Sequence, residues 1–262
     1  MTYENIELSV EGAVGELVLR RPDVRNAMTR EMGEEIERAV ADIEAAEDLR
    51  VLLVRGEGKA FSAGGDFAYI EERTRRGHEE NRRAMGQFYR KFLSIRRVPV
   101  PTIAVVHGPA VGAGLCFAMA CDLRLAAPGV KMGVNFVRIG LHPGMGATHL
   151  LPALVGPARA AELLLTGKLI ESEQAERIGL VNAIHPGEEL EPAARTMAEQ
   201  IASAAPVAVR QARETLAKRL DRRLEDALDR EAEAQAVDYA TEDMAEGVRA
   251  FKEKRTPEFR GR

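Results

Sequence analysis

The chain reads as an α/β protein, and three features of its 262 residues predict that class. Two apolar, β-branched-rich runs, Val51–Val54 and Thr102–Val106, have the length and character of buried strands, and each leads through a glycine-rich turn towards a helix. Elsewhere apolar residues recur at helical spacing, as in Met32, Ile36, Val40 and Ile43. The N-terminal runs Ile6–Val10 and Gly15–Arg20 instead alternate apolar with polar, which predicts an antiparallel hairpin closed by the EGAVG turn. This length suits one large domain, or one domain with an appendage, with a sizeable buried core.

Taken in order, Arg21-Pro22-Asp23 ends the second strand, and Thr29 is a good N-cap for the helix carrying the Met32–Ile43 stripe. The carboxylates Glu31, Glu34, Glu35 and Glu37 mostly fall off that stripe, so the expectation is that they face solvent. Asp66, after the loop AFSAGGD, is placed to cap the next helix rather than to transfer protons. Residues 67–97 are rich in charge and interrupted by Gly77, which predicts a mobile wall of a pocket with His78 exposed. The stretch PTIAVVHGPAVGAGLCFAMACD (101–122) predicts strand, glycine turn and an uncharged small-residue helix, followed by strand Leu123–Ala126. Five glycines and two prolines within 128–150 predict an ordered loop leading into a helix near Ala147. Helices follow at Pro157–Leu165 and from Ser172 to Gly179, then a short strand Leu180–Ile184, and from about 188 onward almost everything reads as helix.

Composition narrows the function. The chain is 45% hydrophobic and 30% charged with a formal net charge of −4, which gives no sign of a nucleic-acid or polyanion surface. No run approaches a membrane span and the N-terminus lacks the apolar core of a signal peptide, so the expectation is a cytoplasmic protein without membrane partners. Cys116 and Cys121 lie five apart in one helix, where they cannot bridge, and are expected to be reduced. The five histidines are scattered without HxxxH or CxxC, and no redox-cofactor motif stands out, so neither metal nor cofactor is expected.

The two glycine loops carry the chemistry. Glycines at a strand-to-helix junction let the backbone approach a ligand and leave the first helical N–H groups unpaired, ready for developing negative charge. For a lone GxG, close helix–sheet packing is the better reading; here a second such loop, AFSAGGD, stands beside it. Together these loops resemble the FxAGxD and GxxxGxGxxxA-like segments of the crotonase (enoyl-CoA hydratase/isomerase) superfamily. The resemblance continues through RPDVRNAMT (21–29), GLHPGMGATHLLPALVGPARAAELLLTG (140–167), SEQAERIGLVNAI (172–184) and FKEKRTPEF (251–259), almost end to end and in the family's order.

The resemblance implies a spiral core of ββα turns over residues 1–190 and a helical C-terminal trimerisation region over 191–262, giving a homotrimer or a dimer of trimers. It implies an acyl-CoA thioester as small-molecule substrate and coenzyme A as part of that substrate. Matching motif to motif, the backbone N–H groups of Gly65 and Ala113 would form the oxyanion hole. Ala63, Gly65 and Asp66 would hold the ligand, and Arg25 would contact phosphate or adenine, although a solvated arginine fits nearly as well. Phe251 would pack on coenzyme A and Lys254 would meet its phosphates.

The chain departs from the hydratases where their acid and base stand. The two glutamates of that family match Cys116 and Phe136, and the aspartate of related isomerases matches Gly144. Hydration needs a base for water and an acid for the α-carbon, so two-glutamate hydration of crotonyl-CoA is not expected. Three readings stay open: a base from Glu71, Glu72 or His142, the last equally a plain turn residue; a base-independent decarboxylation of a malonyl-type thioester in a pocket shaped by Cys116 and Phe136; or a non-catalytic acyl-CoA-binding protein.

Overall fold

The computed structural model describes residues 3–221 and 223–262. Strands β1 (Ile6–Glu11) and β2 (Val14–Leu19) pair antiparallel with Ile6 opposite Leu19, as the alternation predicts. Next come β3 (Val51–Gly56), β4 (Thr102–Val106), β5 (Ala110–Val111), β6 (Leu123–Ala126), β7 (Lys131–Gly133), β8 (Ile170–Glu171) and β9 (Ala183–Ile184). The main sheet has the order β1-β2-β3-β4-β6-β9 and is parallel from β2 onward, while β5, β7 and β8 form a smaller second sheet. Strands β3 and β4 are almost wholly buried, which is why they read as continuous apolar runs.

The helices are α1 (Arg30–Glu44), α2 (Phe67–Arg73), α3 (His78–Leu93), α4 (Ala113–Ala120), α5 (Ala147–Val155), α6 (Pro157–Thr166) and α7 (Ser172–Arg177). The C-terminal part adds α8 (Gly187–Ser203), α9 (Pro206–Asp221), α10 (Leu224–Asp238) and α11 (Glu242–Glu253). Helix α1 starts where Thr29 accepts from the Met32 N–H, and α2 where Asp66 accepts from the Ala68 N–H at 3.0 Å.

One expectation is refined and two change. Gly77 does interrupt the charged stretch, separating α2 from α3, and α3 has a buried face because Met85, Phe88, Tyr89 and Phe92 recur at helical spacing behind the charges and pack between α1 and α10. His78 does stay half-exposed, paired with Glu233 at 3.1 Å. Glu35 is buried rather than solvated, since its carboxylate accepts from the Glu4 and Asn5 N–H groups at 3.0 and 2.8 Å. The strand expected over 180–184 is only two residues long, because Leu180 and Val181 donate back to Ala175 in the turn after α7. Among the described residues no helix is long and apolar enough to cross a membrane.

Candidate active site

The two glycine loops meet at the end of the parallel strands. Ser62 pairs with Ala110 in an isolated bridge, and the Val111 N–H donates to the Ser62 carbonyl at 3.0 Å. The contact is close enough to require glycine on both sides. A Cβ on Gly114 would lie 2.4 Å from the Ser62 carbonyl, and one on Gly64, whose φ is +96°, would lie 2.6 Å from the Val111 carbonyl.

Asn26 and Ser62 hold this junction from beneath. Asn26 is fully buried, and its amide donates to the carbonyls of Glu57, Ala60 and Phe61 while accepting from the Arg21 N–H. Ser62 Oγ donates to the Asn26 carbonyl at 2.8 Å and accepts from the Gly64 N–H at 3.2 Å. With φ of +54°, Asn26 also occupies a backbone conformation that asparagine tolerates and alanine does not. Asn26→Ala is therefore expected to cost about 3 kcal/mol, from orphaned carbonyls and backbone strain together. Urea unfolding measures it, and a loss below about 1 kcal/mol would remove Asn26 from this role.

Gly65 and Ala113 are left with free donors. Ala113 is the first residue of α4, so its N–H has no intrahelical acceptor, and neither it nor the Gly65 N–H donates a hydrogen bond among the described residues. Both residues line a cavity of about 450 Å³.

The cavity has a wet rim and a dry inner end. Asp23, Val24, Arg25 and Phe251 are exposed at the rim, where the Phe251 ring stacks on Phe67 with centroids 4.1 Å apart. Arg25 has no carboxylate at salt-bridge distance among the described residues. The inner end is built from buried Met85, Phe88, Tyr89, Leu141, Met145 and Tyr239.

The residues singled out in the sequence divide into two groups. Arg25, Ala63, Gly65, Asp66, Ala113, Phe136 and Phe251 come together on the cavity wall. Asp66 is already engaged, capping α2 and pairing with Arg21 at 3.1 Å. Cys116, His142 and Lys254 are not on that wall. Cys116 is fully buried, its thiol donates to the Gly144 carbonyl at 3.5 Å, and burial with the Glu231 carboxylate beyond holds it well above the usual thiol range. His142 is tied by its ring to the Pro143 carbonyl, and Lys254 is an exposed residue at the end of α11.

The suggested bases are also elsewhere. Glu71 pairs with Lys252 at 2.6 Å, and Glu72 with Arg76 at 2.7 Å and Arg73 at 2.8 Å. These partners hold both carboxylates below their ordinary range, and neither residue lines the cavity. Sequence reasoning missed Tyr69, Met85, Phe88, Tyr89, Gln235 and Tyr239, all on the wall. The helical spacing within α3 was the available signal for Met85, Phe88 and Tyr89; nothing local marks Gln235.

Paired strand-to-helix loops beside a cavity, on a mostly parallel sheet, are the arrangement of a crotonase-type α/β protein. The enoyl-CoA hydratase/isomerase family model matches residues 9–262, and the chain belongs to that family. It is 37% identical to a crotonyl-CoA hydratase of Syntrophomonas wolfei, over 99% of both chains. It is 35% identical to the mitochondrial enoyl-CoA hydratase domain-containing protein 2 of Mus musculus, over 100% of this chain and 91% of that one. The crystal structure of an enoyl-CoA hydratase from Mycobacterium avium subsp. paratuberculosis superposes with a TM-score of 0.87 at 28% identity, covering 99% of this chain and 100% of that chain.

Proposed function

We propose that the protein is an enzyme of acyl-CoA thioesters that stabilises a thioester enolate on the Gly65 and Ala113 N–H groups. The observation that carries this reading is the pair of unpaired backbone donors on one cavity wall. Two fixed N–H dipoles need no reorganisation as charge moves onto the thioester oxygen, so they act on the transition state more than on the ground state. Arg25 at the rim is positioned for the phosphates of coenzyme A, and the Phe67–Phe251 stack offers an apolar face to the same moiety.

The lining supports a reaction other than two-glutamate hydration. Its carboxylates are Asp23 at the rim and Asp66, which caps a helix, and the inner end is apolar apart from tyrosine hydroxyls and one glutamine. Loss of carbon dioxide from a malonyl-type thioester leads straight to the enolate without a base, and apolar surroundings favour departure of the carboxylate. An assembly of three copies, or two such trimers, belongs to the same reading, with exposed Leu165, Val207 and Leu216 as the apolar surface available to it. Light scattering gives that mass directly.

The test is to incubate the protein with enoyl-, 3-enoyl-, 3-hydroxyacyl- and malonyl-type CoA thioesters in deuterated water and to follow them by mass spectrometry. Deuterium at the α-carbon or loss of carbon dioxide is the expected result, with no hydration of crotonyl-CoA. Rapid hydration of crotonyl-CoA would overturn the second part of this reading. Binding without any turnover would replace the enzyme by a carrier.

A further inference from the structure

One face of α10 grips the segment that leads into α5. Glu231, Gln235 and Asp238 are spaced four and then three residues apart, which puts them on one side of the helix. The Glu231 carboxylate accepts from the Gly146 N–H at 2.7 Å and from the Thr148 N–H at 2.9 Å. Asp238 accepts from the His142 N–H at 2.5 Å, and Gln235 Nε2 donates to the His142 carbonyl at 2.7 Å. These partners lie 83 to 96 residues apart in the chain, and together they fix both ends of the segment 142–148.

That segment is held in a conformation that a free chain avoids. Met145 has a φ of +61° and Gly146 one of +73°, so two successive residues lie on the left-handed side. Glycine takes this region readily, whereas for a methionine it is disfavoured by about tenfold. The bonds from α10 fall on either side of the strained residue, at His142 and at Gly146. The strain reaches the cavity, because Leu141 and Met145 line its inner end, while Glu231 and Asp238 stand behind the wall and do not.

We propose that Glu231, Gln235 and Asp238 are positioning residues for the acyl group, which hold Met145 in its strained conformation by gripping the backbone on both sides of it. Once the grip is loosened, Met145 relaxes out of the left-handed region and only a fraction of the molecules keeps the binding-competent wall. The apparent affinity for an acyl chain then falls by that fraction. The rim around Arg25 and Phe251 belongs to other elements and stays as it is. This inference rests on the acyl-CoA reading above and adds to it the residues that hold the acyl wall.

Asp238→Ala tests it, because the Asp238 side chain is off the cavity wall and reaches the site only through His142. Coenzyme A and hexanoyl-CoA are titrated calorimetrically into the whole protein, and the ratio of their affinities is read. In Asp238→Ala that ratio is expected to fall by about tenfold, with coenzyme A itself bound within about twofold of the unaltered protein. Asp238→Asn keeps an oxygen that can accept from His142 and is expected to restore the ratio. Should Asp238→Ala fail to fold, Glu231→Gln serves instead, since its NH₂ must face one of the N–H donors, and the same loss is expected. A role in stability alone would lower the melting temperature and leave the ratio unchanged, which would overturn the inference and spare the acyl-CoA reading. Equal binding of the two ligands by the unaltered protein would overturn it as well. Failure of both ligands to bind would overturn both readings.

Discussion

On the proposed mechanism, replacing Ala113 by proline is expected to slow enolate chemistry by about 10²–10³-fold with little change in melting temperature, because it replaces one N–H donor by a ring carbon facing the cavity. The substitution is unusually clean here. Ala113 opens α4, where proline fits the helical φ, and its N–H makes no hydrogen bond among the described residues that folding would lose. The preceding residue is Gly112, which has no Cβ to clash with the proline ring. The readout is the rate of α-deuterium incorporation or decarboxylation for whichever thioester proves reactive. A rate within about threefold of the unaltered protein, with the fold preserved by circular dichroism, would take the Ala113 N–H out of the mechanism.

Removing the Glu231 carboxylate is expected to destabilise the fold by about 3–5 kcal/mol, the range for breaking a buried polar network. Glu231 lies fully buried in α10 and serves as the missing cap of α5. Gly146 at that helix start has no side chain to cap with, and the carboxylate instead accepts from the Gly146 N–H at 2.7 Å, the Thr148 N–H at 2.9 Å and Thr148 Oγ1 at 2.5 Å. Glu231→Ala would leave all three donors dry. Urea unfolding at constant pH measures the loss, and a change below about 1 kcal/mol would refute the assignment.

The same carboxyl should show a pH signature. Burial pushes it up to about 7, against the pull of the Thr148 and Gly146 donors, from an ordinary value of 4.5. The folded chain then holds this proton more tightly than the unfolded chain does. Its contribution to stability is full below pH 4.5, falls as pH rises towards 7, and is constant above that. Measured against Glu231→Gln, which does not titrate, the stability of the unaltered protein should fall by about 3 kcal/mol across this window. Parallel stability–pH curves for the two proteins would count against the raised value.

What local sequence could show, it showed. The parallel strands, the capped starts of α1 and α2 and the two glycine loops each depend on neighbours within a few residues, so propensity, capping chemistry and spacing suffice to place them. Through the family resemblance the loops also point to the Gly65 and Ala113 N–H groups, which make no hydrogen bond among the described residues. The inner end of the cavity is a different matter. Tyr89 and Gln235 are separated by more than a hundred residues and meet only because α10 crosses α3, and Glu231 reaches α5 for the same reason. In the sequence a charge-rich stretch hides the apolar face of α3, and a glutamate and a glutamine in α10 look like ordinary solvent-facing residues. The sequence therefore determined the class of fold and, by its resemblance, where backbone donors are expected, whereas tertiary packing decided which side chains line the cavity and which are withdrawn from it. Helix crossing buries a polar group irrespective of its own preference, and no local pattern records which distant partner will be there to receive it.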